Sequence, residues 1–569
     1  MDLKMKRPVF IFLVWLLALP LSARTLPAPG SDTLHFICNE LLTRPTDHSV
    51  TVNACADQDI DLYFEFGTDS LHFDRQTTVQ HCLDSIPAVF VLDSLKANTE
   101  YYYRMRYKPV GAADYISRFW HSFHTARPVG STYTYAIEAD PHMDTNSVAA
   151  VYALTLQNIM KKNPDFLLDL GDTFMSEKLP TPSLVEINKR HMLLRSFFDI
   201  VCHSTPLFLV QGNHDGELGW LFNNTANCLP LWNATLRKMY YPNPEPDSFY
   251  SGDAISEPFV GLRQNYYSWE WGNALFVVID PYYYTKAKPA WGWTLGPDQY
   301  NWLRKVLTTS NAKFKFIFSH QLVGGNGVDG RGGTEFADFF EMGGKNADST
   351  WGFSSYRAGW EKPIHQLMLE NGVSIFFHGH DHFYGKQDKD GIVYQEVPQP
   401  SLKNFTTQSS TQYGYVNGTI LPNRGYLLVS MTDTTAKIEY YRTYLSTEEN
   451  ATRHNGDISH SYTITKSAYT TGVREYNPIA GDYSLCQNYP NPFNPETTIR
   501  YVLPKAGDVK LVIYDALGRE VSRIVDTFQQ AGTYTVSFSI QKSGLPSGIY
   551  FYQLSSGNYT KVMKMICLK

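Results

Sequence analysis

A layered α/β core held between two all-β units is the fold class that this sequence predicts. Three observations carry it. Short alternating strands fill residues 33–127, apolar strand runs then alternate with helical patterns over 131–467, and short strands return over 484–569. A length of 569 residues exceeds one ordinary domain of roughly 150 residues, and 43% apolar residues suffices for several cores.

The first element is a leader. Lys4, Lys6 and Arg7 precede an apolar run from Val9 to Leu19, followed by Pro20 and the small pair Ser22-Ala23. This is the pattern of a signal peptide, residues 1–23, cleaved after Ala23. The run falls short of the roughly 20 residues that span a bilayer. No comparable run follows, so the mature chain is expected to hold no transmembrane segment.

Residues 33–127 show strand runs at 34–37, 61–66, 88–92, 100–107 and 118–123 with polar turns between them, the spacing of a β-sandwich. The stretch Leu95-Lys96-Ala97-Asn98-Thr99-Glu100-Tyr101-Tyr102-Tyr103 and the closing Phe123-His124-Thr125 resemble a fibronectin type III domain.

From Tyr133 the rhythm changes. Strand runs at 133–139, 166–170, 207–210, 275–279, 314–318 and 373–377 alternate with helices, one marked by Val148, Val151, Leu154 and Ile159 and another near 184–201. A polar linker is expected at 468–483.

The last unit, 484–569, has strand runs at 498–503, 509–514, 533–538 and 549–554, with Gly518, Gly532 and Gly548 expected at turns. Its entry, Gln487-Asn488-Tyr489-Pro490-Asn491-Pro492-Phe493-Asn494-Pro495, resembles the C-terminal sorting domain of the type IX secretion system. Asp515-Ala516-Leu517-Gly518-Arg519-Glu520-Val521 and Ser547-Gly548-Ile549-Tyr550 resemble it too. The resemblance implies that this secretion machinery is a partner and that the protein ends up secreted or on the cell surface.

Charge narrows the function. A net charge of −6 with no Lys/Arg cluster argues against a nucleic-acid scaffold as partner. It leaves small phosphate esters open. Seven cysteines without a C-x-x-C pair leave two readings, a Cys202–Cys228 disulfide or buried thiols, and the odd count leaves at least one unpaired in a monomer.

Five blocks carry candidate chemistry: Asp140-Pro141-His142, Gly171-Asp172, Gly212-Asn213-His214-Asp215, Ser319-His320 and Gly379-His380-Asp381-His382. Each follows an apolar strand run, and side chains at the carboxyl ends of strands converge on one crevice. Asp, His and Asn supply the O and N donors that suit Fe, Mn, Zn or similar ions. His378, outside these positions, reads as a structural core residue.

In order and spacing the blocks resemble the calcineurin-like metallophosphoesterase superfamily. That resemblance implies a β-sandwich core with flanking helices and two divalent or trivalent metal ions. One would be held by Asp140, His142, Asp172 and His382, the other by Asp172, Asn213, His320 and His380. It implies a hydroxide bridged by the two metals that attacks phosphorus, with His214 as the general acid. The implied activity is hydrolysis of phosphate mono- or diesters. A nucleotidase or phospholipid-head-group hydrolase is the alternative within that chemistry. A surface adhesin or glycan-binding protein with a vestigial middle is the alternative outside it.

Two details place the resemblance on the purple acid phosphatase side: the fibronectin-like unit, and Tyr266-Tyr267-Ser268-Trp269-Glu270-Trp271-Gly272-Asn273 with Phe383-Tyr384. One departs from it. Those enzymes carry a metal-binding Tyr three residues after the bridging Asp, and others in the superfamily an Asp or His that supports the acid. Here Met175 stands there, so His214 is expected to draw on Asp215 or another group. The long insertions at 216–265 and 321–360 are the places for substrate recognition, where Arg331 or Arg357 could clamp a phosphate and exposed rings could stack on a base or sugar.

Overall fold

The computed structural model describes residues 34–466, 483–485, 488, 491, 493–539 and 545–567. The expected leader and nearly all of the expected linker lie outside them. The chain divides into two compact units, 1–466 and 467–569.

The first unit is built on two facing sheets. One has nine strands, in the order Ile458–Thr465, Thr435–Arg442, Gly425–Met431, Tyr133–Glu138, Leu167–Asp169, Leu207–Leu209, Phe36–Thr43, Val50–Ala56 and Ala88–Leu92. The other has eight, and its central strands Ala274–Val278, Phe314–Phe318 and Ile375–His378 run parallel. The parallel strands Leu167–Asp169, Leu207–Leu209, Ala274–Val278, Phe314–Phe318 and Ile375–His378 are buried on both faces, which explains their unbroken apolar runs. Between the sheets lies an aromatic core in which Tyr135, Phe166, Phe208, Trp269, Phe276 and Phe316 interlock. Helices Ala149–Met160, Leu184–Phe198 and Leu229–Tyr240 cover the outer face of the first sheet. Helices Gly296–Thr309 and Ile364–Glu370 cover that of the second. The result is a helix–sheet–sheet–helix stack.

The sandwich of residues 36–124 is joined to this stack through hydrogen bonding. Thr43 pairs with Leu207 in parallel register, so one sheet of the sandwich runs on into the nine-stranded sheet. Its other sheet, built on Ile60–Gly67 and Glu100–Pro109, closes over Phe64, Phe90, Tyr103 and Met105.

In helix Ala149–Met160 the buried face is Val151, Tyr152, Thr155, Leu156, Asn158 and Ile159. Leu154 is only half-buried and Val148 is the residue before the helix, so the face is turned from the one the apolar residues alone suggest. Tyr152 turns it, because its ring packs inside and its hydroxyl donates to Glu138 Oε1 at 2.9 Å.

The second unit is a small all-β fold. A four-stranded sheet, Glu520–Gln529, Gly507–Asp515, Gly548–Ser556 and Tyr559–Cys567, encloses an apolar core with a sheet built on Glu496–Leu503 and Gly532–Ser539. Gly518 makes a turn at φ 77°, whereas Gly532 and Gly548 open strands.

Candidate metal centre

The parallel strands of both sheets deliver the five blocks to one place. Asp140 lies just beyond Tyr133–Glu138, Asp172 beyond Leu167–Asp169, and Asn213 and His214 beyond Leu207–Leu209. From the facing sheet come His320, beyond Phe314–Phe318, and His380 and His382, beyond Ile375–His378. All eight candidate residues meet there.

Two groups of ligand atoms form. Asp140, His142 and His382 make one, and Asp172, His320 and His380 the other. Asp172 Oδ2 lies between them, 3.6 Å from His142 Nε2 and 3.2 Å from His320 Nε2. Asn213 Oδ1 is 3.1 Å from His320 Nε2, which is 3.2 Å from His380 Nδ1. His382 Nε2 is 3.4 Å from Asp140 Oδ1. Asp140 Oδ1, Asp172 Oδ2 and His142 Nε2 are buried with no hydrogen-bond partner. Buried polar atoms are ordinarily satisfied, and here the unsatisfied ones point at one another across a gap. Such a donor set fits a pair of cations.

The backbone is bent to make this set. Asp140, His142, Asp172, His380 and His382 have φ of 58°, 53°, 55°, 77° and 70°. A left-handed non-glycine residue costs about 1–3 kcal/mol, and such strain collects at functional sites. Hydrogen bonds between the loops hold it: Asp140 N donates to Gly171 O at 2.9 Å and His142 N to Asp172 O at 3.2 Å. Glycine is required where loops touch. A Cβ on Gly212 would lie 2.0 Å from Asp172 N, and one on Gly379 would lie 2.6 Å from Asp140 Oδ2.

Electrostatics among the candidate donors set their charge. Burial opposes ionisation of Asp140, but the charge of His320 and the neighbouring imidazoles of His142 and His382 hold it far below the usual carboxylate range. Burial likewise works against a charged His320, yet Asp172 and Asp140 push it up to about 9. Burial, with the charges of Arg331 and His320, keeps His380 neutral. Ionised carboxylates and a neutral imidazole are ready donors, and His320 must give up its proton when a cation binds.

His214 is positioned by a residue that no spacing rule singled out. Its Nδ1 is 2.8 Å from Glu177 Oε2, and its Nε2 faces the centre, 4.0 Å from Asp172 Oδ2. Asp215 points elsewhere. Its carboxylate accepts from the backbone N–H groups of Gly212, Asp172 and Phe174 at 2.8, 3.0 and 2.8 Å, which ties two ligand loops together. Met175 has φ 52° and starts the short turn Ser176–Lys178, which brings Glu177 round to His214.

Other supports were equally silent in sequence. Arg190, on helix Leu184–Phe198, donates to the carbonyls of His142, Met143 and Phe174 at 2.5, 3.1 and 2.8 Å. Asp144 Oδ2 lies 3.6 Å from His142 Nδ1. Asn423 Nδ2 donates to His382 O at 3.0 Å. His378 turns from the centre and meets Glu396 Oε2 at 2.8 Å.

Both insertion arginines are engaged. Arg331 donates to His380 O and Asp381 Oδ1, and Arg357 to Glu341 and to the carbonyls of Trp291 and Trp293. Tyr240 and Tyr241 are buried in the core, while Trp220 is half-buried with Lys288 Nζ 4.2 Å from its ring centre.

Residues 133–384 match the family of calcineurin-like phosphoesterases, and residues 487–568 match the secretion system C-terminal sorting domain. No curated protein matches the chain significantly. Among solved structures, purple acid phosphatase PPD1 from yellow lupin (Lupinus luteus) seeds is similar at 13% identity, over 75% of this chain and 74% of that one, with a TM-score of 0.50. The structure of PhoD is similar at 15% identity, over 77% and 92%, with a TM-score of 0.55. At these identities the likeness is one of fold. The chain thus carries a calcineurin-like phosphoesterase domain and a terminal domain that directs it to secretion or the cell surface. Among the described residues no helix is long and apolar enough to cross a membrane.

Proposed function

We propose that the protein is a secreted, metal-dependent phosphoesterase that hydrolyses small phosphate mono- or diesters with two metal ions. The observation that carries this reading is the convergence of Asp140 Oδ1, His142 Nε2 and Asp172 Oδ2, buried and unsatisfied, between two groups of ligand atoms. Asp140, His142, Asp172 and His382 would hold one cation, and Asp172, Asn213, His320 and His380 the other. Bound there, such a pair supplies Lewis acidity, lowering the pKa of water and neutralising charge on phosphoryl oxygens.

The chain's own residues do the rest. Glu177 fixes the His214 ring by accepting from Nδ1, so that Nε2 faces the reacting centre and can give a proton to the leaving oxygen. Asn213 Nδ2, 3.0 Å from His214 Nε2, donates to that nitrogen in the neutral ring, so Nε2 must take up a proton and leave this contact before it can act as the acid. The rim is open to a substrate from solvent, since the side chains of His382 and His214 are 26% and 14% exposed.

A donor set complete in all seven positions favours a working enzyme over an adhesin with a vestigial middle. The purified, metal-loaded chain should be assayed on aryl and alkyl monoesters, diesters, nucleotides and phospholipids. Hydrolysis that a chelator abolishes and added metal restores is expected; no hydrolysis of any of them would refute the reading.

A further inference from the structure

Cys38 and Cys55 stand opposite each other. They are register partners on the antiparallel strands Phe36–Thr43 and Val50–Ala56. Residues so paired have Cα atoms about 4.5–5.5 Å apart, inside the span of about 4.4–6.8 Å that a disulfide bridges. Both side chains are buried in one apolar core.

Cys202 and Cys228 lack such a relationship. Cys202 lies in that core beyond helix Leu184–Phe198, and Cys228 caps helix Leu229–Tyr240 in a separate cluster with Leu231, Ala234 and Val260. The Cys202–Cys228 bridge admitted by the sequence is therefore not formed; Cys38 and Cys55 too are thiols in this structure, with Cys38 Sγ 3.7 Å from Met192 Sδ and Cys55 Sγ 3.8 Å from Ala56 O.

We infer that Cys38 and Cys55 are joined by a disulfide in the exported protein, stapling the strand pair through which the N-terminal sandwich meets the nine-stranded sheet. The terminal sorting domain directs the chain out of the cell, where disulfides form and persist. The oxidant is an external disulfide. The Cys38 thiolate attacks one of its sulfurs and expels a thiolate; the Cys55 thiolate then attacks Cys38 Sγ, closing the bridge and expelling the second. Two electrons and two protons thus pass to the oxidant. Both residues are buried once the strands pair, so the exchange precedes closure of the pair.

The test is peptide mapping of the full exported chain, collected without reductant and alkylated under denaturing conditions. A glutamate-specific protease cuts after Glu40 and so separates the two cysteines. The expected result is one linked species holding Cys38 and Cys55 in most molecules, split by reductant, with a thermal midpoint that falls on reduction. Recovery of both as alkylated thiols, or of either joined to another cysteine, would overturn the inference.

Discussion

Glu177 Oε2 lies 2.8 Å from Nδ1 of His214, although Glu177 stands five residues beyond Asp172, on a different loop from His214. The His214 hydrogen bond holds the Glu177 carboxyl below its usual range even though burial raises it. The pair forms a dyad in which the carboxylate fixes the ring, and in the proposed reaction the ring would meet substrate. Glu177→Gln is expected to lower turnover about tenfold or more, and His214→Ala by about 10²–10⁴-fold. Both losses should be larger for alkyl than for nitrophenyl esters, which need little protonation to leave. Equal losses on the two ester types would mean that His214 binds phosphate without acting as an acid.

Arg190 offers a second test, because it touches no ligand side chain and holds only the carbonyls of their loops. Arg190→Met should cost about 1–3 kcal/mol of stability by leaving buried carbonyls unpaired. It should also weaken metal retention about 10-fold or more, as loss of outer support does elsewhere. Denaturant melts and metal titration on one sample read both effects.

Gly212→Ala should behave like loss of a ligand. Its Cβ would fall 2.0 Å from Asp172 N, so the bridging loop must move. Folding is expected to survive with bound metal largely lost, as circular dichroism and metal analysis would record.

His191 predicts a pH dependence away from the centre. Burial lowers its pKa to about 3, and its ring stacks on Phe174 at 3.9 Å. The folded ring binds fewer protons than the unfolded one between pH about 6.5 and about 3, so stability is full above this window and is lost as pH falls through it. His191→Phe keeps the stack and removes the linkage. Its melting temperature should fall less than that of the wild type between pH 6.5 and 4.

The convergence of the candidate donors was legible because each stands just beyond an apolar strand run, and strand ends announce themselves. Gly212-Asn213-His214-Asp215 and Gly379-His380-Asp381-His382 each follow an apolar run with a glycine where loops collide. The supporting half obeys no such rule. Glu177 arrives through a left-handed Met175, and Arg190 from the middle of an amphipathic helix, so only tertiary structure brings either to the centre. Asp215, the nearest carboxylate in sequence to His214, is consumed by three backbone N–H groups. The layered fold was legible from its buried strands, but the continuation of the sandwich into the core sheet was not. It rests on the single register pair Thr43–Leu207 between strands distant in sequence.

The central claim is that Asp172 joins two cation sites into one catalytic centre. The direct test is the metal content of the wild type and Asp172→Asn, measured with hydrolysis of a nitrophenyl phosphate by the same preparations. The expected result is two ions per chain and activity in the wild type, matching the two groups of ligand atoms, with both lost in a folded Asp172→Asn variant. Full activity in that variant, or an active wild type that holds no metal, would contradict the account.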